Sequence, residues 1–427
     1  MKLAVLGSDK LVTTANAVLS EIFTGVIPDE IIILSEDQPS KSVEGIKELV
    51  SYFGVTPTVR NEIVGEGIEK WRQKVSEIEV DIADVTPGRK YMATSVYAYS
   101  KAKHIRYVYV KNESSGYKVF GYLPFNEIKV FDMRSGDIIK WDPPRVTRSN
   151  EKSVYLTNDS LNALINIYSL LGKVKISLNR DSYTIEELVK YIHDSNDEEI
   201  SICGFRSGFL RYKEEKDLKD NVEKGYFTVA DTNVYIRLGF RLGYLTYSKT
   251  YGRRLLPSKA TYNELNNKVT STQKDRNIFK FNLAMATFNK LHPPPISVGN
   301  QGSGDVPLVK ETATLKSYLP ESVVLVTADS GVNRLASSSN IKTVYLNTVE
   351  KARSGDIGEF LHCLSFYVDH NFEIKEIGIE VNDKLAMKIK KQDANKVLNE
   401  GLTEVQVVSE DLNYASLLQT EEKLIRS

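Results

Sequence analysis

Two short apolar runs, each ending in an acid, constrain this chain more than any other feature. Residues 323–326 (VVLV) form an uninterrupted apolar run of the kind buried on both faces of a parallel sheet, and Thr327, Ala328 and Asp329 follow at once. Residues 227–230 (FTVA) deliver Asp231 in the same way, then Thr232, Asn233 and an apolar stretch, which reads as strand, acid, turn, helix. Open α/β sheets build their sites at the carboxyl ends of parallel strands, so the two acids can face one crevice although 98 residues separate them. Glu264 lies in a helical pattern after Pro257, and Asp305 opens another at 305–319. Both helices would point acids at the same edge.

Four carboxylates converging without a cation repel one another and hold protons, which raises some of their pKa values. Mg²⁺ or Mn²⁺ relieves this, because hard divalent cations take oxygen ligands and keep several waters, leaving positions for a substrate phosphate. Such ions generate hydroxide, orient in-line attack and stabilise the leaving oxygen. Taken singly, Asp231 and Asp329 also suit ordinary helix N-caps. The ordered set of four in matching strand contexts favours the metal.

These residues resemble a PIN domain: D-T-N-V at residues 231–234, the Glu264 segment, Gly304-Asp305, T-A-D-S-G at 327–331, and a last strand at 342–347. The resemblance covers about residues 225–348 and implies a metal-dependent ribonuclease with a small doubly wound parallel sheet. It makes Asp231, Glu264, Asp305 and Asp329 the catalytic and metal-binding acids, with Asn233 and Thr327 as polar supports and single-stranded RNA as substrate. Asp275 and Glu311 are nearby alternatives to Asp305. The glycine-rich segment GNQGSGD before it lacks the Lys and Ser/Thr of a phosphate-binding P-loop and reads as a flexible loop at the mouth of the site.

The amino-terminal third alternates strand and helix patterns in Rossmann-like fashion, with strands expected at 3–6, 30–34, 80–85 and 106–111. A tight turn, Gly7-Ser8-Asp9, follows the first strand, and no G-x-G-x-x-G accompanies it, so a dinucleotide cofactor has little support. After the strand at 80–85 comes DVTPGRK, in which Gly88 lets backbone N–H groups approach a phosphate while Arg89 and Lys90 add charge at a helix start. A capped surface turn with solvated basic residues explains the motif equally well. In its context it resembles the D-x-T-x-G-x-[KR] element of CARF domains, the ligand-sensing part of CRISPR-associated effectors. Here the matching residues are Asp84, Thr86, Gly88 and Lys90, with Gly7 and Ser8 in the first loop and a hairpin at 106–124. The resemblance covers roughly residues 1–140. It implies a homodimer that binds cyclic oligoadenylate, cyclic tetra-adenylate foremost, through Gly7, Ser8, Asp84, Thr86, Gly88, Arg89 and Lys90. Some relatives cleave the ring, and a secondary ring-nuclease activity would be lost in Lys90→Ala.

The expected fold class is therefore α/β: a Rossmann-like CARF domain at 1–140, a mainly helical connector at 141–224, a PIN-like domain at 225–350 and a small α+β extension at 351–427. Length supports about three units. In the connector, 160–174 and 183–194 read as amphipathic helices and 210–225 as a charged linker. A DNA-binding winged helix is the alternative there, but no basic recognition helix follows. In the tail, 373–381 and 404–408 read as strands and 392–399 as a helix.

Lys+Arg and Asp+Glu each total 56, so no overall basic excess advertises nucleic-acid binding. Two cysteines, Cys203 and Cys363, are too few for a disulfide framework or a cysteine-based zinc site. With no signal peptide and no apolar stretch of spanning length, the chain reads as cytoplasmic with no membrane partner. None of the five histidines has an arginine five residues earlier, which excludes the R-x(4)-H motif of HEPN ribonucleases. The leading expectation is a cyclic-oligoadenylate-activated, metal-dependent endoribonuclease of type III CRISPR antiviral defence. A CARF-containing transcriptional regulator with a degenerate PIN-like domain, and an unregulated toxin-like PIN ribonuclease, are the alternatives.

Overall fold

The computed structural model describes residues 1–8, 10–37, 42–111, 120–147, 152–271, 278–292, 302–319, 322–368, 373–390 and 401–426. The chain divides into two compact units: Met1–Lys175 with Gly378–Lys388 and Glu404–Ser427, and Ile176–Ile377 with Ile389–Thr403. Residues of the expected connector and of the expected tail thus fall in both units. No helix among the described residues is long and apolar enough to cross a membrane.

The first unit begins with β1 (Lys2–Leu6), α1 (Leu11–Ile22), β2 (Glu30–Ser35), α2 (Ser42–Ser51), β3 (Thr58–Ile63), α3 (Ile68–Glu77), β4 (Ile82–Asp84), α4 (Lys90–Tyr99) and β5 (His104–Val110). These strands form a parallel sheet in the order β3-β2-β1-β4-β5, extended antiparallel by β6 (Ile128–Asp132) and β7 (Ile138–Ile139). The chain turns from one side of β1 to the other between β3 and β4, so the crevice beyond the ends of β1 and β4 is a topological switch point. Both faces of the sheet are covered, as a parallel sheet requires. Ala4, Leu6, Ile32, Leu34, Ala83 and Val85 bury one face against Trp71, Val75, Met92 and Val96 from α3 and α4. Leu3 and Val5, pointing the other way, are fully buried too.

The expected hairpin at 106–124 falls partly outside the described residues, and β5 pairs antiparallel with β6. After β8 (Ser153–Leu156) comes α5 (Asn158–Leu171), whose N-cap Thr157 accepts from the Ser160 N–H at 3.1 Å. Three strands from the far end of the chain, Ile377–Val381, Lys384–Ile389 and Thr403–Val407, line up in that order next to β8. The last helix, Tyr414–Arg426, packs on α1, α2, α5 and β8. It brings Tyr414 into a ring cluster with Phe23, Phe53 and Tyr168, and its buried Glu421 accepts from the Phe120 N–H at 3.2 Å. The expected helix at 392–399 lies outside the described residues.

The second unit takes in most of β9 (Val174–Leu178), then β10 (Asp181–Thr184), α6 (Ile185–Asp194), α7 (Glu198–Ser207), β11 (Leu210–Tyr212), α8 (Glu215–Glu223), β12 (Phe227–Ala230), α9 (Thr232–Leu238), α10 (Arg241–Leu245) and the short strands β13 (Tyr247–Ser248) and β14 (Gly252–Arg253). It continues through α11 (Lys259–Ser271), α12 (Ile278–Leu291), α13 (Asp305–Tyr318), β15 (Val323–Thr327), α14 (Ser330–Ser338), β16 (Lys342–Tyr345), β17 (Val349–Lys351) and α15 (Ile357–Ser365). Its centre is a three-stranded parallel sheet, β12-β15-β16. Val229, Val323 and Leu325 pack there against Ala260, Leu308, Val309, Val332 and Ala336 from the surrounding helices.

One expectation needs correction here. The segment 210–225 is not a linker but β11 and α8; its charges sit mostly outward while Leu218 and Val222, four apart on one helical face, are buried. The two cysteines, too few for a disulfide framework, form a single disulfide between α7 and α15, with a Cα–Cα distance of 5.5 Å. One turn beyond Cys203, Arg206 is 1% exposed and donates from Nε to Glu359 on α15 at 3.1 Å. Its Nη1 reaches the Tyr235 and Ile236 carbonyls at the end of α9 at 3.3 and 3.4 Å, and its Nη2 reaches the Thr287 hydroxyl at 3.1 Å. A buried cation so placed satisfies carbonyls that the helix end leaves open. Arg206→Ala would strand Glu359 in the core and is expected to cost about 3–5 kcal/mol in urea unfolding. The double substitution Arg206→Met with Glu359→Leu, which removes both charges, should recover part of that loss.

Candidate functional site

Parallel pairing of β12 with β15 runs in register from Phe227–Val323 to Ala230–Val326, so the residues that follow both strands leave the sheet at one edge. Asp231 and Asp329 stand there as the N-caps of α9 and α14. The capping reading of these acids holds, and it leaves both carboxylates at the same edge of the sheet. Asp329 accepts from the Val332 N–H at 3.2 Å, and Asp231 accepts from the Thr232 N–H at 2.7 Å.

Thr327, the last residue of β15, ties the two acids together. Its hydroxyl donates to Asp231 Oδ2 at 2.9 Å and accepts from the Asp329 N–H at 2.9 Å. Thr232 plays a matching part on the other side by donating to Glu264 Oε2 on α11 at 3.0 Å. Thr261, one turn before Glu264, donates to the Ala230 carbonyl at 3.0 Å and pins α11 to the end of β12. Neither Thr232 nor Thr261 was singled out from the sequence. The signal for Thr232 lay in its place directly after Asp231.

Asp305 is the exposed first residue of α13, preceded by Gly304 in a left-handed conformation. Glu311, one of its alternatives, is otherwise employed: 2% exposed, it accepts from the Ser258 hydroxyl at 2.8 Å and from the Lys259 and Ala260 N–H groups at 2.9 and 3.0 Å. It caps the start of α11. Asp275 and residues 299–301 of the glycine-rich loop lie outside the described residues. Asn233 is half-buried in the first turn of α9.

The four acids feel one another. Burial, above all, pushes the Asp231 carboxyl up to about 6, with Glu264 and Asp305 adding repulsion against the bonds from Thr327 and Thr232. Burial also raises Glu264, and Asp305 and Asp329 push it the same way. An all-carboxylate donor set with this mutual repulsion suits a hard divalent cation in chemistry and in charge. In spacing, no three acids, imidazoles or thiols among the described residues stand close enough to form a ready-made ligand group.

The second cluster lies at the switch point of the first unit. Gly7 and Ser8 follow β1, and Thr86, Gly88, Arg89 and Lys90 lie between β4 and the start of α4. The sheet order thus brings the two loops side by side. Gly88 is needed for packing: a Cβ there would lie 2.1 Å from Leu6 Cδ1, and one on Gly7 would lie 2.2 Å from Ser35 Oγ. The Thr86 hydroxyl accepts from the Val108 N–H at 2.8 Å. Lys90 is exposed, and Arg89 is exposed beside Glu36 at 3.3 Å.

Asp84 is under the loop rather than on it, 1% exposed, and accepts from the Thr86 N–H at 2.8 Å. Burial raises its carboxyl to about 6. Next to it, Glu21 is pushed up to about 8 by burial and by Asp84, with the bonded Arg106 guanidinium opposing both. Burial works against ionisation of both acids, and the loop rests on a buried acid pair bonded to the Arg106 guanidinium through Glu21.

No protein-family model matches the chain, and no curated protein matches it in sequence. Among solved structures, Can2 from Sulfobacillus thermosulfidooxidans in complex with cyclic tetra-adenylate is similar at 10% identity and a TM-score of 0.28, over 80% of this chain and 94% of that one. The protein VC1899 from Vibrio cholerae is similar at 8% identity and a TM-score of 0.28, over 81% of this chain and 93% of that one. Likenesses this loose carry no argument about the site.

Because Asp231 holds its proton to about 6 when folded, against 3.8 ordinarily, the folded state binds that proton more tightly than the unfolded chain. Stability from this group is fully present below about pH 4 and is lost as pH rises through about 6, a change of up to about 3 kcal/mol. In EDTA, Asp231→Asn should unfold at a higher temperature than the parent at about pH 8, and the two curves should converge towards about pH 4. Parallel curves across the range would show that Asp231 is not strained by its neighbours.

Proposed function

We propose that the chain is a cyclic-oligoadenylate-activated, divalent-metal-dependent endoribonuclease of type III CRISPR defence, acting as a homodimer. The observation that carries the nuclease half is the electrostatic coupling of Asp231, Glu264, Asp305 and Asp329 at the carboxyl edge of β12 and β15. As they stand no three of these acids are close enough to ligate one ion; drawn together in the active state they would hold Mg²⁺ or Mn²⁺, which would supply Lewis acidity and a hydroxide available near neutral pH. Thr327 holds Asp231 in place and fixes the backbone of Asp329, while Thr232 orients the Glu264 carboxylate. Above about pH 6 Asp231 is ionised and ready to accept a cation. Asn233 lies next to this group in the first turn of α9.

For the sensing half, support comes from the resemblance of the D-V-T-P-G-R-K segment to CARF domains and from its place at the switch point of a parallel sheet. Ser8, Thr86, Arg89 and Lys90 would meet the ligand phosphates, with the start of α4 adding backbone N–H groups. Gly7 and Gly88 keep the two loops low against the sheet, and Asp84 supports them from beneath. A messenger acts on the acids only if it binds the active state more tightly than the resting one.

The test is cleavage of labelled single-stranded RNA in Mg²⁺ or Mn²⁺, with and without cyclic tetra- and hexa-adenylate. Messenger-stimulated cleavage that disappears in Asp231→Asn and falls about 10–100-fold in Thr327→Val is expected. Cleavage indifferent to messenger would leave an unregulated ribonuclease and remove the sensor. No cleavage under any condition would sink the nuclease half and favour a regulator whose acids no longer gather a metal.

A further inference from the structure

Four acids at one edge repel a polyanion, so a nucleic-acid substrate needs a cationic, base-stacking surface close by to hold it there. The segment between the first two acids has that character. From Thr232 to Asn263 the chain carries six basic residues, Arg237, Arg241, Lys249, Arg253, Arg254 and Lys259, and no Asp or Glu, within a chain whose 56 basic and 56 acidic residues balance. Its tip is the β13–β14 hairpin. Tyr244, Tyr247 and Tyr251, on the hairpin and its approach, are 79%, 52% and 48% exposed, and Lys249 and Arg253 are exposed among them. Aromatic rings left in water between cations fit the π-faces of unpaired bases and the phosphates that join them.

The hairpin is held firmly enough to serve as a platform. Ser248, fully buried, accepts from the Thr250 and Tyr251 N–H groups at 3.2 and 3.3 Å and donates to Glu223 at 2.7 Å. Lys219 donates to the Tyr247 carbonyl. Arg254 lies over the rings of Phe227 and Tyr251, at 4.4 and 4.9 Å from their centroids, and so holds the Tyr251 ring from one face. Glu223 is the acid of α8 beside the hairpin, and it is matched by Lys219 at 3.2 Å and by the nearby Lys249. The exit of the hairpin is bonded to β12: the Thr228 N–H donates to the Arg254 carbonyl at 2.7 Å and the Leu256 N–H to the Thr228 carbonyl at 2.8 Å. Thr228 is three residues from Asp231, about 10 Å along an extended strand.

We propose that the β13–β14 hairpin, with Tyr244, Tyr247, Tyr251, Lys249 and Arg253, is a stacking platform that binds single-stranded nucleic acid and feeds it to the acid edge. The proposal rests on the nuclease reading for its purpose, but binding is measured without cleavage. The full chain carrying Asp231→Asn, in EDTA, is titrated against a labelled single-stranded RNA of about 12 nucleotides and followed by anisotropy. Adding Tyr244→Ala with Tyr247→Ala should weaken binding by about tenfold or more, and Lys249→Glu should reduce the slope of log affinity against log salt by at least about 1. Duplex RNA should bind more weakly, and single-stranded DNA comparably, since stacking and phosphate contacts need no 2′-hydroxyl. Because these side chains are exposed, thermal unfolding should not change. Absence of RNA binding, or equal binding by the tyrosine variant, would overturn the platform and leave the hairpin as a protein-docking surface. Failure of cleavage in the parent protein would end the nuclease reading without touching this result, whereas cleavage at an unchanged KM in the tyrosine variant would do the reverse.

Discussion

The second unit depends on one parallel strand pair. Register between β12 and β15 places Asp231 and Asp329 at one edge, although they lie far apart in sequence. A slip of one residue would send every side chain of the moved strand to the opposite face and separate the acids. The register is held by apolar contacts on both faces and by the Thr327 hydroxyl, which bonds across from β15 to Asp231 and back to its own turn. Packing and site assembly are therefore decided by the same few residues. The mutual repulsion of the acids is sustained by burial in a sheet that is stable for other reasons.

The first unit shows the same logic at its switch point. Two loops meet because the chain reverses its direction of growth across the sheet at β1. Beneath them, Glu21, Asp84 and Arg106 form a buried charged group that burial alone would disfavour. Asp84 ties this group directly to the loop by accepting from the Thr86 N–H.

Much of this was legible in the sequence because strands buried on both faces leave no alternation to misread. The runs at 227–230 and 323–326 became β12 and β15 almost residue for residue, and the acids that end them were visible for the same reason. The segment 210–225 was opaque because its many charges hide a narrow apolar stripe, in which Leu218 and Val222 suffice to seat α8. The pairing of Cys203 with Cys363 could not be read at all, since nothing local records which helices a fold will lay together. Glu311 looked like a fourth-acid candidate by position, and only the start of α11 packed above it shows that its carboxylate is already taken. The basic, tyrosine-rich stretch after Asp231 was present in the sequence but diluted by a chain that is neutral overall.

The disulfide between α7 and α15 joins residues 160 apart, so the whole three-stranded sheet and all four acids lie inside one covalent ring. In the chain-entropy picture a ring of that size removes about 5 kcal/mol of freedom from the unfolded state. It also changes what a single backbone break can do. A protease that cuts anywhere inside the ring produces two fragments that cannot diffuse apart, and the cut chain keeps both halves of the acid edge tethered within reach of each other. Only a break together with a reductant releases them, so the wholeness of this unit is set by the redox state of its surroundings as much as by its peptide bonds.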